Sequence, residues 1–171
     1  MVVSEVILVD ENDKHIGTEE KLKAHQSGKL HRAFSVFIFN SKKELLLQKR
    51  SLSKYHSPGL WTNTCCSHPR PKMDLKKEAS DRLEKEMGIK GDIEEIFSFI
   101  YRAEFENGLV EHEYDHVFIG YSDAAPKPLN SEVSEYKWIS LSNLKKNITN
   151  SPKKYSYWLR ACIDKVAGYV R

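Results

Sequence analysis

Residues 61–69 read Trp-Thr-Asn-Thr-Cys-Cys-Ser-His-Pro, which places the thiol of Cys66 two residues from the imidazole of His68. Alternate side chains of an extended segment lie on the same side, so these two point in one direction. One of them can act as an acid or base while the other binds a metal beside it. A metal needs further ligands from other parts of the fold, and the candidates are His25, His31, Glu111 and Glu113.

The composition limits the class of protein. The chain has 171 residues, of which 40% are hydrophobic and 30% charged, as in an ordinary globular protein. This length suits a single domain over residues 1–171. The net charge of +3 is small, and we find neither a secretory signal nor a run approaching the roughly 18 apolar residues of a membrane span. We therefore expect a cytoplasmic protein that binds neither nucleic acid nor membranes.

Predicted strands and helices follow one another without strict βαβ alternation. Strands are predicted over residues 2–9, 14–17, 31–39, 44–49, 93–105, 109–121 and 136–139. Helices are predicted between Thr18 and Gly28, between Asp74 and Gly88, and over residues 140–147 and 155–170. This order indicates an α/β protein in which a mixed sheet is packed between helices.

Local signals support several of these elements. An apolar residue recurs at every fourth position between Asp74 and Gly88, which predicts an amphipathic helix with an N-cap and a glycine terminator. Asn107-Gly108 lies between two apolar stretches and is the strongest short-range signal for a hairpin. Thr18 precedes two acidic residues and is interpreted as the N-cap of the short helix that follows.

Two carboxylates share one face of a predicted strand. Glu111 and Glu113 point to the same side, while His112 points to the other. A strand that faces solvent is one interpretation, but the apolar residues 117–119 farther along favour a buried strand, on which two adjacent acids need a cation. Together with three imidazoles they form a mixed nitrogen and oxygen set that suits Mn, Fe, Mg or a distorted Zn site.

The other histidines are interpreted as surface or internally bonded residues. They are His15, His56, His112 and His116. Cys65 and Cys162 are interpreted as small buried apolar residues. His25, His31 and His68 differ from these because they lie at the ends of three separate elements that can meet around one point.

A second cation and a phosphate group are suggested by the helix that follows the cysteine segment. Glu86 can pair with Arg82 four residues earlier, or it can hold a second hard cation that accompanies a phosphate-bearing substrate. Basic residues near these elements can contact phosphate oxygens. They are Lys21, Arg50, Lys54 and Arg82.

Seven separated motifs, in the same order, resemble the type 1 isopentenyl-diphosphate isomerase family of the Nudix superfamily. They are KLKAH (21–25), HRAFS (31–35), RSLSK (50–54), PGLWTN (58–63), CSHP (66–69), YRA (101–103) and EHE (111–113). The resemblance extends from about residue 3 to about residue 160. It implies a Nudix-like α/β/α sandwich with a mixed β-sheet and an N-terminal extension.

The resemblance also implies an activity and a set of site residues. The activity is the interconversion of isopentenyl and dimethylallyl diphosphate, by adding and removing protons through a carbocation-like intermediate. The implied metal ligands are His25, His31, His68, Glu111 and Glu113, for one divalent ion (Mn, Mg or Zn). The implied catalytic residues are Cys66, Glu113 and Tyr101.

For the substrate, the resemblance implies a small-molecule diphosphate that binds together with one Mg²⁺ held by Glu86. The implied diphosphate-binding residues are Lys21, Arg50, Lys54 and Arg82. Trp158 is implied to lie over the reacting carbons. A monomer or weak dimer is expected.

Two alternative functions remain at the level of sequence. A Nudix hydrolase needs an Arg-Glu-x-x-Glu-Glu helix to hold Mg²⁺ and activate water, but the corresponding residues here are Asp81-Arg82-Leu83-Glu84-Lys85-Glu86. Of that acidic set the last member alone is retained, which disfavours hydrolysis. A non-catalytic domain stabilised by a metal is the other alternative, but it leaves the combination of Cys66, Tyr101 and the basic residues unexplained.

Overall fold

The computed structural model describes residues 4–54 and 56–171, so the predicted strand residues Val2 and Val3 lie outside the described part. The strands are β1 (Glu5–Val9), β2 (His15–Glu20), β3 (His31–Phe39), β4 (Glu44–Arg50), β5 (Trp61–Thr62), β6 (Cys65–Ser67), β7 (Ile93–Glu104), β8 (Val110–Tyr121) and β9 (Val133–Ser140). The helices are α1 (Lys21–Ser27), α2 (Leu75–Met87), α3 (Leu141–Asn150) and α4 (Tyr157–Ala167), and a 3₁₀ turn covers Pro152–Lys154.

Strand β3 organises the sheet. Along one edge it pairs in parallel with β8, from His31 opposite Glu113 to Phe39 opposite Tyr121. Along its other edge it meets β1, β6 and β4 in turn, all antiparallel. Strand β7 pairs antiparallel with β8, and β9 with β4. The sheet is therefore mixed, as predicted.

Helices cover both faces of this sheet. On one face, buried residues of α4 pack against the odd-numbered residues Phe37 and Phe39 of β3 and Val117 and Ile119 of β8. On the opposite face, α2 packs against the even-numbered residues of β3 and against Phe118. Each fully buried aliphatic or aromatic side chain contributes about 1.5–3 kcal/mol. These two cores confirm the predicted α/β architecture with helices on both sides of a mixed sheet.

The ends of α2 form as the sequence predicts. The Asp74 side chain accepts a hydrogen bond from the Lys77 backbone N–H at 2.8 Å. Gly88 has a φ of 66° and donates its N–H to the Glu84 carbonyl, which ends the helix in a left-handed conformation. The hairpin around Asn107-Gly108 also forms, with the loop closed between Glu104 and Val110.

The predicted start of α1 is wrong. Thr18 does not cap a helix, because it belongs to β2 and lies opposite Ile7 of β1. The strand continues to Glu20, which is opposite Glu5, and α1 begins at Lys21 without a side-chain cap. The backbone hydrogen bonds of the β1–β2 ladder outweigh the capping preference of one threonine. Gly28 ends α1 in a left-handed conformation, as predicted.

The length and polarity of the helices bear on membrane insertion. In the part of the chain covered by residues 4–54 and 56–171, every helix is too short or too polar to cross a bilayer.

We expect Gly88→Ala to destabilise the protein more than Gly108→Ala. Both glycines have positive φ, so each substitution costs about 1–2 kcal/mol for the left-handed conformation. A Cβ at Gly88 would also approach Lys127 Cβ to 2.7 Å, whereas a Cβ at Gly108 meets nothing within 4 Å. The clash adds about 1–3 kcal/mol at Gly88. Urea unfolding of both variants measures the difference, and equal losses would contradict this account.

Candidate active site

A partly buried pocket lies where the polar ends of β3, β6 and β8 meet. Its walls combine imidazole, carboxylate, thiol and cationic groups with one indole. The lining residues are Lys21, Ser35, Arg50, Lys54, His56, Cys66, Ser67, His68, Arg82, Tyr101, Glu111, Glu113 and Trp158. His25, His31 and Glu86, which the sequence analysis also selected, are buried next to this lining.

A row of residues across three neighbouring strands forms the base of the site. Tyr101 of β7 lies opposite Glu113 of β8, and Glu113 lies opposite His31 of β3. The Tyr101 hydroxyl donates a hydrogen bond to Glu113 Oε2 at 2.6 Å. His112, between the two glutamates, points to the opposite face and contacts the Gly28 carbonyl through its Nδ1. The alternation that the sequence predicted for this strand is therefore present.

Three imidazoles face the two carboxylates. His25 Nε2 lies 3.3 Å from Glu111 Oε1, and His31 Nε2 and His68 Nε2 lie 3.5 and 2.8 Å from Glu113 Oε1. The possible ligand atoms of His25, His31, His68 and Glu113 all lie within 4.8 Å of one another. Helix α1, strands β3 and β8 and the residue directly after β6 thus bring these side chains together around one point.

The hydrogen bonds of two histidines prepare them to bind a metal. His25 Nδ1 lies 2.6 Å from the Lys21 carbonyl, and His31 Nδ1 lies 2.8 Å from the Lys29 carbonyl. A carbonyl oxygen accepts only, so each Nδ1 carries a proton and donates to that carbonyl, which leaves Nε2 facing the glutamates as the possible ligand atom. Metal-binding imidazoles commonly donate the opposite ring N–H to a backbone carbonyl in this way. The donor set therefore fits a divalent metal.

Burial and contacts divide the titratable groups into proton carriers and proton acceptors. Burial raises the pKa of the Cys66 thiol to about 12. Burial alone would also raise the pKa of Glu113, but the contact with His31 and the hydrogen bond from Tyr101 lower it to about 2. Burial keeps the pKa of Tyr101 well above its usual range. The pocket therefore holds a protonated thiol and an ionised carboxylate.

Four cationic side chains line the pocket. Burial lowers the pKa of Lys21. The Arg50 guanidinium carbon lies 5.5 Å from the centre of the Trp158 ring. Lys54 and Arg82 both contact Glu132, a residue that the sequence analysis did not select. A compact group of positive charge in a partly buried pocket suits a substrate with several phosphate oxygens.

Glu86 lies behind Arg82, near the end of α2. Its Oε1 accepts a hydrogen bond from Arg82 Nε at 2.5 Å, and its Oε2 accepts one from Gln48 Nε2 at 3.0 Å. The ion pair with Arg82 that the sequence offered as one interpretation is therefore present. The side chain is 5% exposed, so this carboxylate is shielded from bulk water.

The indole of Trp158 is fixed by one buried amide. Trp158 Nε1 donates a hydrogen bond to Asn63 Oδ1 at 3.0 Å. The amide of Asn63 in turn donates to the carbonyls of Val36 and Cys65. Helix α4 is thereby joined to the segment that carries Cys66, and the indole face has a fixed place in the pocket wall.

Comparison with known proteins identifies the family. The NUDIX domain family matches residues 29–159. An isopentenyl-diphosphate Delta-isomerase of Aromatoleum aromaticum is 54% identical over 95% of this chain and 92% of its own length. One from Pectobacterium atrosepticum is 43% identical over 99% and 94%. This chain belongs to the isopentenyl-diphosphate Delta-isomerase family.

Solved structures support the NUDIX fold of this family member. A crystal structure from Deinococcus radiodurans superposes with a TM-score of 0.78 at 18% identity, covering 95% of this chain and 98% of the other. The MutT protein of Methanosarcina mazei gives 0.67 at 21% identity, covering 81% and 94%. At these identities the likeness concerns the fold alone.

Helix α2 of this isomerase-family chain lacks the exposed acidic set of a Nudix hydrolase. Asp81 is exposed and pairs with Lys77, and Glu84 is exposed and pairs with Lys90. Glu86 is buried against the pocket wall. The acids of this helix therefore do not converge on one place where a water molecule could be activated, in line with the sequence comparison.

His56 belongs to the site although the sequence analysis interpreted it as a surface or internally bonded residue. Its Nε2 lies 3.0 Å from Glu111 Oε1, and its ring lies edge-on to Trp158. Burial lowers the pKa of His56 to about 3, which favours the neutral ring. Together with His25 and Glu111 it forms a second group able to hold a metal. The available signal was its position between the basic residue Lys54 and the cysteine segment, both of which the sequence had marked as candidates.

We expect His31→Ala to lose metal while His112→Ala retains it. The two histidines lie on neighbouring strands, but His31 faces Glu113 and His112 faces the Gly28 carbonyl. Loss of a ligand should weaken metal affinity by about a hundredfold or more. Metal content after dialysis, measured by mass spectrometry of the ions, tests this expectation. Equal metal content in the two variants would show that His31 is not a metal ligand.

Proposed function

We propose that this chain interconverts isopentenyl diphosphate and dimethylallyl diphosphate. The observation that carries the proposal is that one partly buried pocket is lined by the thiol of Cys66, the carboxylate of Glu113 and four cationic side chains. Cations suit the diphosphate, and the thiol and carboxylate suit two proton transfers. The family membership of the chain supports the same reaction.

The reaction moves a double bond by one carbon. One proton is added to the terminal carbon of the alkene, and another is removed from the carbon on the far side of the branched centre. The number of protons in substrate and product is the same. One group must therefore donate a proton to the substrate while another accepts one from it. Cys66 and Glu113, which together carry one transferable proton, can fill these two roles.

Tyr101 assists the carboxylate of that pair. Its hydroxyl donates to Glu113 Oε2 and lies 3.3 Å from Glu111 Oε2. Because its own pKa is raised, Tyr101 keeps its proton and stabilises the charged form of Glu113. In the proposed mechanism it orients the carboxylate and provides a route by which a proton can return after each turnover.

The intermediate of this reaction is a tertiary carbocation, which water would trap. In this proposal the rings of Trp158 and Tyr101, which both line the pocket, keep water from the reacting carbons. The indole face can stabilise a desolvated cation by about 2 kcal/mol. The bond to Asn63 holds that face in position before the charge develops, so no reorganisation is needed at that moment.

A divalent ion fits the histidine and glutamate cluster. In this proposal His25, His31, His68, Glu111 and Glu113 hold it. When bound, the ion would neutralise the clustered carboxylates and decrease the basicity of Glu113. Mn, Mg and Zn all suit such a mixed nitrogen and oxygen set.

The diphosphate is proposed to bind at the opposite side of the pocket. Lys21, Arg50, Lys54 and Arg82 would contact its oxygens. Glu86, directly behind Arg82, would hold a Mg²⁺ that enters with the substrate, because Mg²⁺ is typically bound by one or two carboxylates together with substrate phosphates.

Incubation with isopentenyl diphosphate in D₂O with Mg²⁺ tests the reaction. We expect deuterated dimethylallyl diphosphate by NMR, because the exchangeable protons of the acid and base equilibrate with solvent. Cys66→Ala and Glu113→Gln should each lower kcat by about 10²–10⁴-fold. Cys65→Ala is the matched control, since the neighbouring thiol lies in the core against α2 and should leave most of the activity.

Two results would contradict the proposal. Fully metallated protein that incorporates no deuterium is not an isomerase of this substrate. Release of phosphate from nucleoside diphosphate derivatives, without isomerisation, would instead favour the Nudix hydrolase. Equal activity of Cys66→Ala and Cys65→Ala would remove Cys66 from the proposed catalytic pair.

Trp158→Leu and Trp158→Phe separate the aromatic face from its hydrogen bond. Both variants lose the bond to Asn63, but phenylalanine keeps a π face. We expect Trp158→Leu to lower kcat by about thirtyfold, corresponding to about 2 kcal/mol, and Trp158→Phe to lower it distinctly less. Steady-state kinetics measure both. If the two variants lose the same activity, the indole acts through packing and the bond to Asn63.

A further inference from the structure

Glu132 lies outside the pocket but contacts two of the cations that line it. Its Oε2 contacts Lys54 Nζ and lies 3.0 Å from Arg82 Nη2. The side chain is 20% exposed, so water competes little for this oxygen. One carboxylate oxygen therefore holds the two cationic groups beside each other.

The backbone of Glu132 is fixed to the same two elements that carry those cations. Its carbonyl accepts a hydrogen bond from the N–H of Ser51, at the start of the loop with Lys54. Its N–H donates to the Leu129 carbonyl, and the Leu129 N–H donates to the Glu86 carbonyl near the end of α2. Backbone and side chain thus join the loop and the helix, which gives Glu132 a fixed position.

Lys54 and Arg82 need such a fixed partner. Two like charges this close repel each other, and long side chains of this type lose much rotamer freedom when they are held in one place. Burial would raise the pKa of Glu132, but the hydrogen bond from Lys54 and the charge of Arg82 lower it, so the carboxylate is ionised. A shared anion behind the pocket wall offsets the repulsion and leaves other N–H donors of both cations available.

We infer that Glu132 is a positioning residue that holds Lys54 and Arg82 at the spacing that receives a diphosphate group. It would set the affinity for the diphosphate part of the substrate and take no part in proton transfer. This inference rests on the proposed function, because it assumes that a diphosphate occupies the pocket.

Glu132→Gln keeps the shape of the side chain and removes its charge. We expect KM for isopentenyl diphosphate to rise by about tenfold while kcat stays within about twofold. The dissociation constant of inorganic diphosphate with Mg²⁺, measured by calorimetry, should rise by the same factor. Glu132→Asp, which keeps the charge on a shorter side chain, should recover part of the affinity.

Glu135→Gln is the matched control. Glu135 lies on β9, three residues after Glu132, and forms an ion pair with Lys49 at 2.5 Å, but its side chain is 56% exposed and Lys49 is not part of the pocket lining. We expect this variant to bind diphosphate like the wild type. Equal weakening in both glutamine variants would attribute the effect to net charge and overturn the inference.

The calorimetric arm separates this inference from the proposed function. If the wild-type protein binds diphosphate but does not isomerise the substrate, the proposed function is wrong. The positioning role of Glu132 is then still decided by the diphosphate affinities of Glu132→Gln and Glu135→Gln. Affinity that is unchanged or higher in Glu132→Gln overturns the positioning role, because it means that the carboxylate does not help the cations to bind the anion.

Discussion

Three acidic side chains on one buried face of β8 are the constraint on which the site depends. Glu111, Glu113 and Asp115 alternate along the strand and are almost inaccessible to water. Each buried carboxylate destabilises the fold by several kcal/mol unless a partner compensates it. Ser35 donates to Asp115 at 2.8 Å, and burial raises the pKa of that acid, which favours its neutral form. Glu111 and Glu113 instead need the facing imidazoles, the Tyr101 hydroxyl and a cation to compensate their buried charges.

The parallel pairing of β3 with β8 explains why this arrangement is rigid. The same sheet face is polar along the first half of each strand and apolar along the second, where Phe37 and Val117 pack against α4. The apolar half fixes the register, and a shift of one residue would turn every acid to the opposite face. The adjacent hydrophobic core therefore fixes the positions of the polar side chains in the pocket. The hydrogen bond from Trp158 to Asn63 fixes the indole as well.

Local signals in the sequence predicted the helices and strands well, but they predicted the contacts between distant residues less well. Asp74 and Gly88 bound α2 because capping and left-handed glycine are properties of a few adjacent residues. The N-cap prediction for Thr18 was wrong because pairing with Ile7, eleven residues earlier in the chain, decided its conformation. The histidines and glutamates now found together could be grouped through spacing and family resemblance. His56 and Glu132 were missed, because their places depend on how loops fold onto α2 and β8, and a single histidine or glutamate carries no pattern.

The contrast between α2 and β8 explains how a Nudix fold can support proton transfer instead of hydrolysis. Water activation requires acids that converge on one helix face, but here Asp81 and Glu84 are exposed and paired with lysines. The convergent acids lie on β8, where one carboxylate faces the same partly buried pocket as the half-buried thiol of Cys66. A thiol and a carboxylate in one pocket can exchange protons with carbon, provided that water is kept from the intermediate. The remaining acid of α2, Glu86, is bonded to Arg82 and so belongs to the part of the pocket that suits phosphate.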